Sequence, residues 1–198
     1  GRDALAAQQR GVGWVGQKKI KQMKKEELYL DVIFEDNHLI AINKPAGWLT
    51  QGDATGDTPI SDVVKAYIKE KYAKDGDVYL GLPHRLDRPV SGVLLCTRTS
   101  KALERMTELF RTREIKKTYL AVVEKRPKEL EGELVHYLVK DPKTNITTAY
   151  NSQRYKDAKR SSLKYKLIGG MGDQHLLQVE PDSGRSHQIR CQLAKMGC

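Results

Sequence analysis

Leu82-Pro83-His84-Arg85-Leu86-Asp87-Arg88-Pro89-Val90-Ser91-Gly92-Val93-Leu94-Leu95-Cys96 sets an aspartate between two arginines, punctuates the segment with two prolines and a glycine, and runs straight into a short apolar stretch. The first part reads as an irregular loop and Val93 to Cys96 as a buried strand. Ser100 then offers a cap for a helix with Leu103, Met106, Leu109 and Phe110 on one face. Loop, strand and helix thus follow one another closely.

The same mixture extends in both directions. Upstream, Tyr29 to Phe34 and Leu39 to Ile42 are β-type runs separated by Glu-Asp-Asn and closed by Lys44-Pro45-Ala46-Gly47. Thr58-Pro59 supplies a cap followed by a proline, and Ile60, Val63, Val64, Tyr67, Ile68 and Tyr72 recur at helical spacing, which predicts a helix over about 59–73. Downstream, Thr118 to Val123, Leu134 to Val139, Thr147 to Tyr150, Leu163 to Ile168 and Leu176 to Val179 read as strands. The last two flank Gly169-Gly170-Met171-Gly172-Asp173, a hairpin loop by its glycines, and a final helix carries Ile189, Leu193 and Met196 on one side. Helices among many strands without regular alternation indicate an α+β fold with a mixed, largely antiparallel central sheet and flanking helices.

The chain has 198 residues, 39% of them apolar, enough for one ordinary core. No apolar run approaches the roughly 18 residues of a membrane helix, and the N-terminus lacks the order of a signal peptide, so a soluble, cytoplasmic, unexported protein is expected. Cys96, Cys191 and Cys198 form no C-x-x-C pair, which points away from disulfides and zinc and toward packing roles in a reducing compartment. Asn145-Ile146-Thr147 is then an unused glycosylation pattern.

Net charge is +10, unevenly placed. Residues 1–25 carry seven basic side chains against Asp3, residues 26–100 carry eight against twelve acidic, and residues 101–198 carry twenty against twelve. We read residues 1–25 as a flexible basic arm and 26–198 as one catalytic domain, with no internal linker. Gly11-Val12-Gly13-Trp14-Val15-Gly16 matches G-x-G-x-x-G but has no strand before it and a lysine run after it, so the match is accidental. An arm and a second half of this charge suit a polyanion such as nucleic acid.

Three stretches concentrate chemistry. A carboxylate beside guanidinium groups is favoured in its charged form, so Asp87 suits a nucleophile better than an acid, and the burial expected of it in a basic groove makes the cations necessary. Lys116-Lys117-Thr118-Tyr119 places cations directly before a strand whose tyrosine ring can stack on a base. Gly184-Arg185-Ser186-His187-Gln188-Ile189-Arg190 brings Arg185 out of a turn at a helix start, where it can meet a carboxylate or phosphate. Taken singly, each stretch also reads as a surface turn, a strand tyrosine or a solvated arginine.

Together with Asn43-Lys44-Pro45-Ala46-Gly47, these segments resemble, in order and spacing, the pseudouridine synthases of the RluA type, with His84-Arg85-Leu86-Asp87-Arg88 and Ser91-Gly92 resembling the signature around the catalytic aspartate. The resemblance runs from about Tyr29 to Cys198. It implies an isomerase that breaks the N1–C1′ bond of a uridine in rRNA or tRNA, turns the base and makes a C5–C1′ bond. By the resemblance Asp87 is the nucleophile, on C1′ or on C6, Tyr119 stacks on the target base and helps remove the C5 proton, Arg185 pairs with Asp87, and Arg85 enters the RNA stack vacated by the flipped nucleotide. His84, Arg88, Lys117, His187 and Arg190, in the matched segments, complete the expected RNA-binding set. Neither cofactor nor metal is expected, nor a partner other than RNA, and the protein is expected to be a monomer. Gln51, Val90 and Gln192 stand where the family commonly has histidine, threonine and histidine, and the chain ends earlier than catalytic domains of the family do. The competing reading is a noncatalytic RNA-binding module on the same fold. A metal-dependent nuclease is disfavoured by the lack of clustered carboxylates.

Overall fold

The computed structural model describes residues 30–198. The expected basic arm, with its glycine motif, lies outside them. The chain divides into two compact units between Phe110 and Arg111, a boundary that no linker composition marks. Where the sequence suggests one central sheet, the strands pair in two sheets, one per unit, and every ladder among the described residues is antiparallel.

The first unit holds β1 (Val32–Glu35), β2 (Leu39–Lys44) and β3 (Gly92–Thr97) in the order β1-β2-β3. Asp36 makes the β1–β2 turn by accepting from the backbone N–H groups of His38 at 2.7 Å and Leu39 at 2.6 Å, a local bond that short carboxylates favour. On β2 and β3 the paired residues Ile40 and Cys96, and Ile42 and Leu94, are fully buried. Helix α1 (Ile60–Lys71) buries Ile60, Val63, Val64 and Ile68 at the expected spacing. It begins one residue later than the proline pattern predicts. Pro59 is the N-cap, with extended φ and ψ and no side-chain cap, and the N–H of Ile60 donates to the carbonyl of Leu49. Glu35 ties β1 to α1 by accepting from Tyr67 Oη at 3.0 Å and Lys71 Nζ at 2.7 Å. Helix α2 (Ser100–Arg111) is capped by Thr99 rather than Ser100: Thr99 Oγ1 accepts from the N–H of Ala102 at 3.2 Å.

The second unit holds β4 (Tyr119–Val123), β5 (Glu131–Lys140), β6 (Thr147–Tyr150), β7 (Lys159–Met171) and β8 (Gln174–Pro181) in the order β4-β8-β7-β5-β6. Alternation along the strands gives one apolar face, and α3 (Gln188–Met196) covers it. Leu193 packs there with Val123, Leu163, Tyr165, Leu177 and Val179, and Ile189 and Met196 lean on the same cluster, as the helical spacing predicts. Burial of each such aliphatic side chain is worth about 1.5–3 kcal/mol, so this layer fixes the start of α3 and the turn before it. The expected five-residue hairpin loop shrinks to Gly172-Asp173, because Gly169 and Gly170 continue the ladder against Leu176 and His175 after a bulge. Gly172 has φ +58°, the region that lets a two-residue turn match the strand twist.

Candidate active site

Asp87 opens a tight turn closed by a bond from the N–H of Val90 to the Asp87 carbonyl at 3.0 Å. The residues on either side of it are pinned. Thr50 Oγ1 donates to the carbonyl of Leu86 at 2.7 Å and accepts from its N–H at 3.2 Å. Arg88 exchanges bonds with Gly47: the Gly47 N–H donates to the Arg88 carbonyl at 2.7 Å, and Arg88 Nε donates to the Gly47 carbonyl at 3.0 Å. Gly47 has φ +87°, which a side chain would oppose. The segment Lys44 to Thr50 is therefore the bed on which the aspartate loop lies, which explains how motifs forty residues apart form one structural piece.

Beneath that bed sits Lys44, with no solvent exposure. Its Nζ donates to the carbonyls of Pro45 at 3.0 Å, Trp48 at 2.8 Å and Arg88 at 3.4 Å. Burial pushes the Lys44 ammonium down to about 8, against the opposing pull of the Asp87 charge. A cation sharing a carbonyl with the residue after Asp87, and interacting with Asp87 itself, is a partner the sequence reading did not name.

Leu86 is buried at 8% exposure, while Arg85 and Asp87 on either side of it are exposed. The expectation of a buried Asp87 is thus corrected: the loop is anchored through Leu86, which Thr50 holds at both ends of its backbone, and its two neighbours stand in solvent. Arg88 directs its Nη2 to Asp57 Oδ2 at 2.8 Å and its Nε to the backbone, and so braces the loop. His84 Nε2 accepts from the N–H of Leu95 at 2.9 Å, and its ring stacks on Phe110 with centroids 4.8 Å apart. His84 thereby fastens the loop to β3, with its ring proton on Nδ1.

In the second unit Tyr119 opens β4, pairs with Val179 and leans, half-buried, on the apolar cluster. Two residues earlier, Lys117 Nζ donates to the carbonyl of Ser183 at 3.0 Å. Burial lowers the Lys117 ammonium, Asp182 opposes that, and Arg113 adds to it. Asp182 accepts from the N–H of Ser162 at 2.9 Å and pairs with Arg113 at 3.2 Å. Burial would raise its carboxyl, but the bonds from Ser162 and Ser183 and the charge of Arg113 prevail and hold it below the ordinary range.

Buried Gln188 organises the turn that carries Arg185. Its Oε1 accepts from Ser183 Oγ at 2.7 Å and from the N–H of Arg185 at 3.2 Å, its Nε2 donates to the carbonyl of Ser162 at 3.0 Å, and its own N–H donates to the Arg185 carbonyl at 3.1 Å. Arg185 is held at both ends of its backbone and leaves its side chain exposed. His187, half-buried, is the N-cap of α3 with φ +54°, and Arg190 lies exposed on the first turn.

The structure thus gathers His84, Arg85, Asp87 and Arg88 on one loop of the first unit, and Lys117, Arg185 and His187 around one turn of the second, with Tyr119 beside Lys117. Lys44, Thr50 and Gln188 are the residues the sequence reading did not single out. Lys44 and Gln188 each lie in a segment that carries the family resemblance, whereas nothing in the sequence marks Thr50. Among the described residues no group of three or more His, Cys, Asp or Glu side chains is placed to hold a metal, and no helix is long and apolar enough to cross a membrane. The three cysteines are free, and burial pushes the Cys96 thiol up to about 12, which leaves it a packing residue.

Three comparisons bear on this arrangement. A model of the family described as RNA pseudouridylate synthase matches residues 38–195. Ribosomal large subunit pseudouridine synthase C of Rickettsia felis is 32% identical over 170 residues, 84% of this chain and 52% of that protein. tRNA pseudouridine synthase C of Yersinia pestis is 30% identical over 176 residues, 83% of this chain and 65% of that protein. The solved structure of human RNA pseudouridylate synthase domain containing 4 superposes with a TM-score of 0.70 at 25% identity, covering 83% of this chain and 63% of that one. The chain spans about half the length of the first of these relatives. With the loop of Asp87, the Tyr119 strand and the Arg185 turn all inside the matched residues, the chain belongs to the RNA pseudouridylate synthase family, as a member of the RluA type.

Proposed function

We propose that this chain isomerises uridine to pseudouridine in RNA, with Asp87 as the nucleophile. The observation that carries the reading is an exposed aspartate on a turn whose two flanking residues are fastened by Lys44, Gly47 and Thr50. Such a mounting spends packing and hydrogen bonds to hold one carboxylate still and accessible, which a structural ion pair does not require.

In the proposed reaction the Asp87 carboxylate adds to C1′ or to C6 of an extruded uridine, and the N1–C1′ bond breaks. The base turns, C5 bonds to C1′, the aspartate leaves, the C5 proton departs and N1 takes up a proton, so atoms balance without oxidant or cofactor. Tyr119 stacks on the base and assists loss of the C5 proton. The resemblance assigns Arg185 as the charge partner of the carboxylate, and Arg85 to the gap left in the RNA stack. Arg88 and His84 serve the loop as braces as well as lining the RNA path, while Lys117, His187 and Arg190 supply cationic and polar contacts to it. The names of the relatives include both ribosomal and transfer RNA enzymes, and either is a substrate class open to this chain. Free thiols suit a reducing compartment, and we place the activity in the cytoplasm.

The test uses RNA labelled with tritium at uridine C5, because C5 glycosidation must release that hydrogen. Wild-type protein is expected to release tritium, and Asp87→Asn to release none while still binding RNA. A wild-type chain that binds RNA and never releases tritium would establish the noncatalytic module instead. Mapping pseudouridine in RNA from cells with and without the gene then identifies the uridine.

A further inference from the structure

We propose that the end of the second unit's sheet formed by β5, β6 and the loop after β6 is a stacking platform for a single-stranded segment of RNA, centred on Tyr155. The inference rests on RNA being the substrate. Strand register places Arg160 opposite Tyr137 and Tyr137 opposite Tyr150, so one row of arginine and two tyrosines crosses β7, β5 and β6. Leu138 and Ala149, which point the other way, are buried at 4% and 6% exposure, so this row lies on the face away from α3. The loop then folds back: Ala158, buried, donates its N–H to the carbonyl of Tyr155 at 3.1 Å. That bend sets the Tyr155 ring edge-on to Tyr150, centroids 5.3 Å apart at 60°.

Two tyrosines that merely stapled a loop would bury each other. Tyr155 instead keeps 49% of its surface in water while its ring packs edge-on against Tyr150. Arg154 and Lys156 flank Tyr155 in the chain and Arg160 stands in the same row, all exposed, and the Arg154 charge acts on the Tyr150 hydroxyl, against the single acidic Asp157. Held aromatic rings with cations spaced around them are what a single strand uses, bases on the rings and phosphates on the cations. An acidic protein segment would engage the cations and leave the ring face idle, which favours RNA as the occupant.

The experiment measures binding of a fluorescein-labelled oligouridine to the full chain by anisotropy, with melting curves to check folding. Tyr155→Ala is expected to weaken binding about tenfold. Tyr155→Phe is expected to match wild type, because stacking needs the ring and not the hydroxyl. Arg154→Ala is expected to flatten the slope of log affinity against log salt by about 0.7. Unchanged affinity in Tyr155→Ala, equal losses in the alanine and phenylalanine variants, no binding by wild type, or displacement of the RNA by polyglutamate at equal concentration would each overturn the platform. Tritium release is read on the same variants with a short stem-loop. Platform variants that bind poorly while no variant or wild type ever releases tritium would remove the isomerase reading and leave the platform standing. Full activity with unaltered oligouridine binding would do the reverse.

Discussion

Lys44 joins complete burial to three carbonyl partners, and its ammonium is pushed down to about 8 from an ordinary value of 10.5. Between those two values the unfolded chain holds a proton that the folded chain has released, so stability contributed by this group rises with pH through that window and is lost again as pH falls through about 8. Lys44→Met removes the titration and leaves the carbonyls of Pro45, Trp48 and Arg88 without this donor. We expect urea unfolding to find Lys44→Met less stable by about 1–3 kcal/mol at pH 7.5, with the gap to wild type widening at pH 9.5. A gap that stays constant would mean that the ammonium is equally hydrated in both states. Thr50 tests the same loop without charge. Thr50→Val keeps the volume and deletes both bonds to Leu86, and is expected to lower kcat at least tenfold with a smaller change in KM, since misplacing a reacting group by about 1 Å costs up to 10²-fold. Thr50→Ser, which keeps the hydroxyl, should restore kcat, and failure of that rescue would reduce Thr50 to a packing residue.

At the scale of elements, α3 does two things at once, packing Leu193 into the sheet and fixing the Arg185 turn through Gln188. Gln188→Leu deletes the bonds to Ser162, Ser183 and Arg185 while leaving an apolar side chain of similar size in the same space. It is expected to cost about 2–3 kcal/mol by thermal unfolding, because the carbonyl of Ser162 and the N–H of Arg185 lose a buried partner. Gln188→Glu, which keeps both acceptor bonds, should recover part of that loss. If Gln188→Leu were as stable as wild type, water would have to be serving those groups already. Elements of this kind were legible in the sequence to different depths. The buried stripe of α1 and the alternation of the strands repeat within a few residues, so Ile60 to Ile68 and Leu176 to Val179 declare themselves locally. The shift of the α1 cap to Pro59 and the shortening of the hairpin to Gly172-Asp173 turn on single hydrogen bonds, from Ile60 to Leu49 and along the Gly169–Leu176 ladder, that no local pattern records. The division into two sheets depends on β8 pairing with both β4 and β7, and the site depends on Lys44 and Thr50 meeting a loop some forty residues away. The motifs around Asp87, Tyr119 and Arg185 pointed to the family, but not to the neighbours that hold them in place.

For the molecule as a whole, charge separates along the division between the units. Residues 30–110 carry ten basic and twelve acidic side chains, and residues 111–198 carry eighteen and ten. Residues 30–110, the described part of the unit with Asp87, are therefore slightly acidic, and the unit with Tyr119 and Arg185 is strongly basic. A phosphate backbone is attracted more strongly to residues 111–198 than to residues 30–110, so under the proposed function long-range capture of RNA falls mainly to the second unit. Four or five cationic contacts drawn mainly from the second unit, on the pattern of Lys117, Arg185 and Arg190, would give a slope of log affinity against log salt of about −3 for single-stranded RNA. Removing one such contact, as in Arg190→Ala, should flatten the slope by about 0.7, whereas Lys65→Ala or Lys69→Ala on α1 should leave it unchanged. Equal flattening from both units would mean that RNA reads total charge and that its uneven distribution has no part in capture. Unequal flattening, with affinity in Asp87→Asn at or slightly above that of wild type, is the outcome expected if capture depends on residues 111–198 and Asp87 stands among the acidic side chains of residues 30–110.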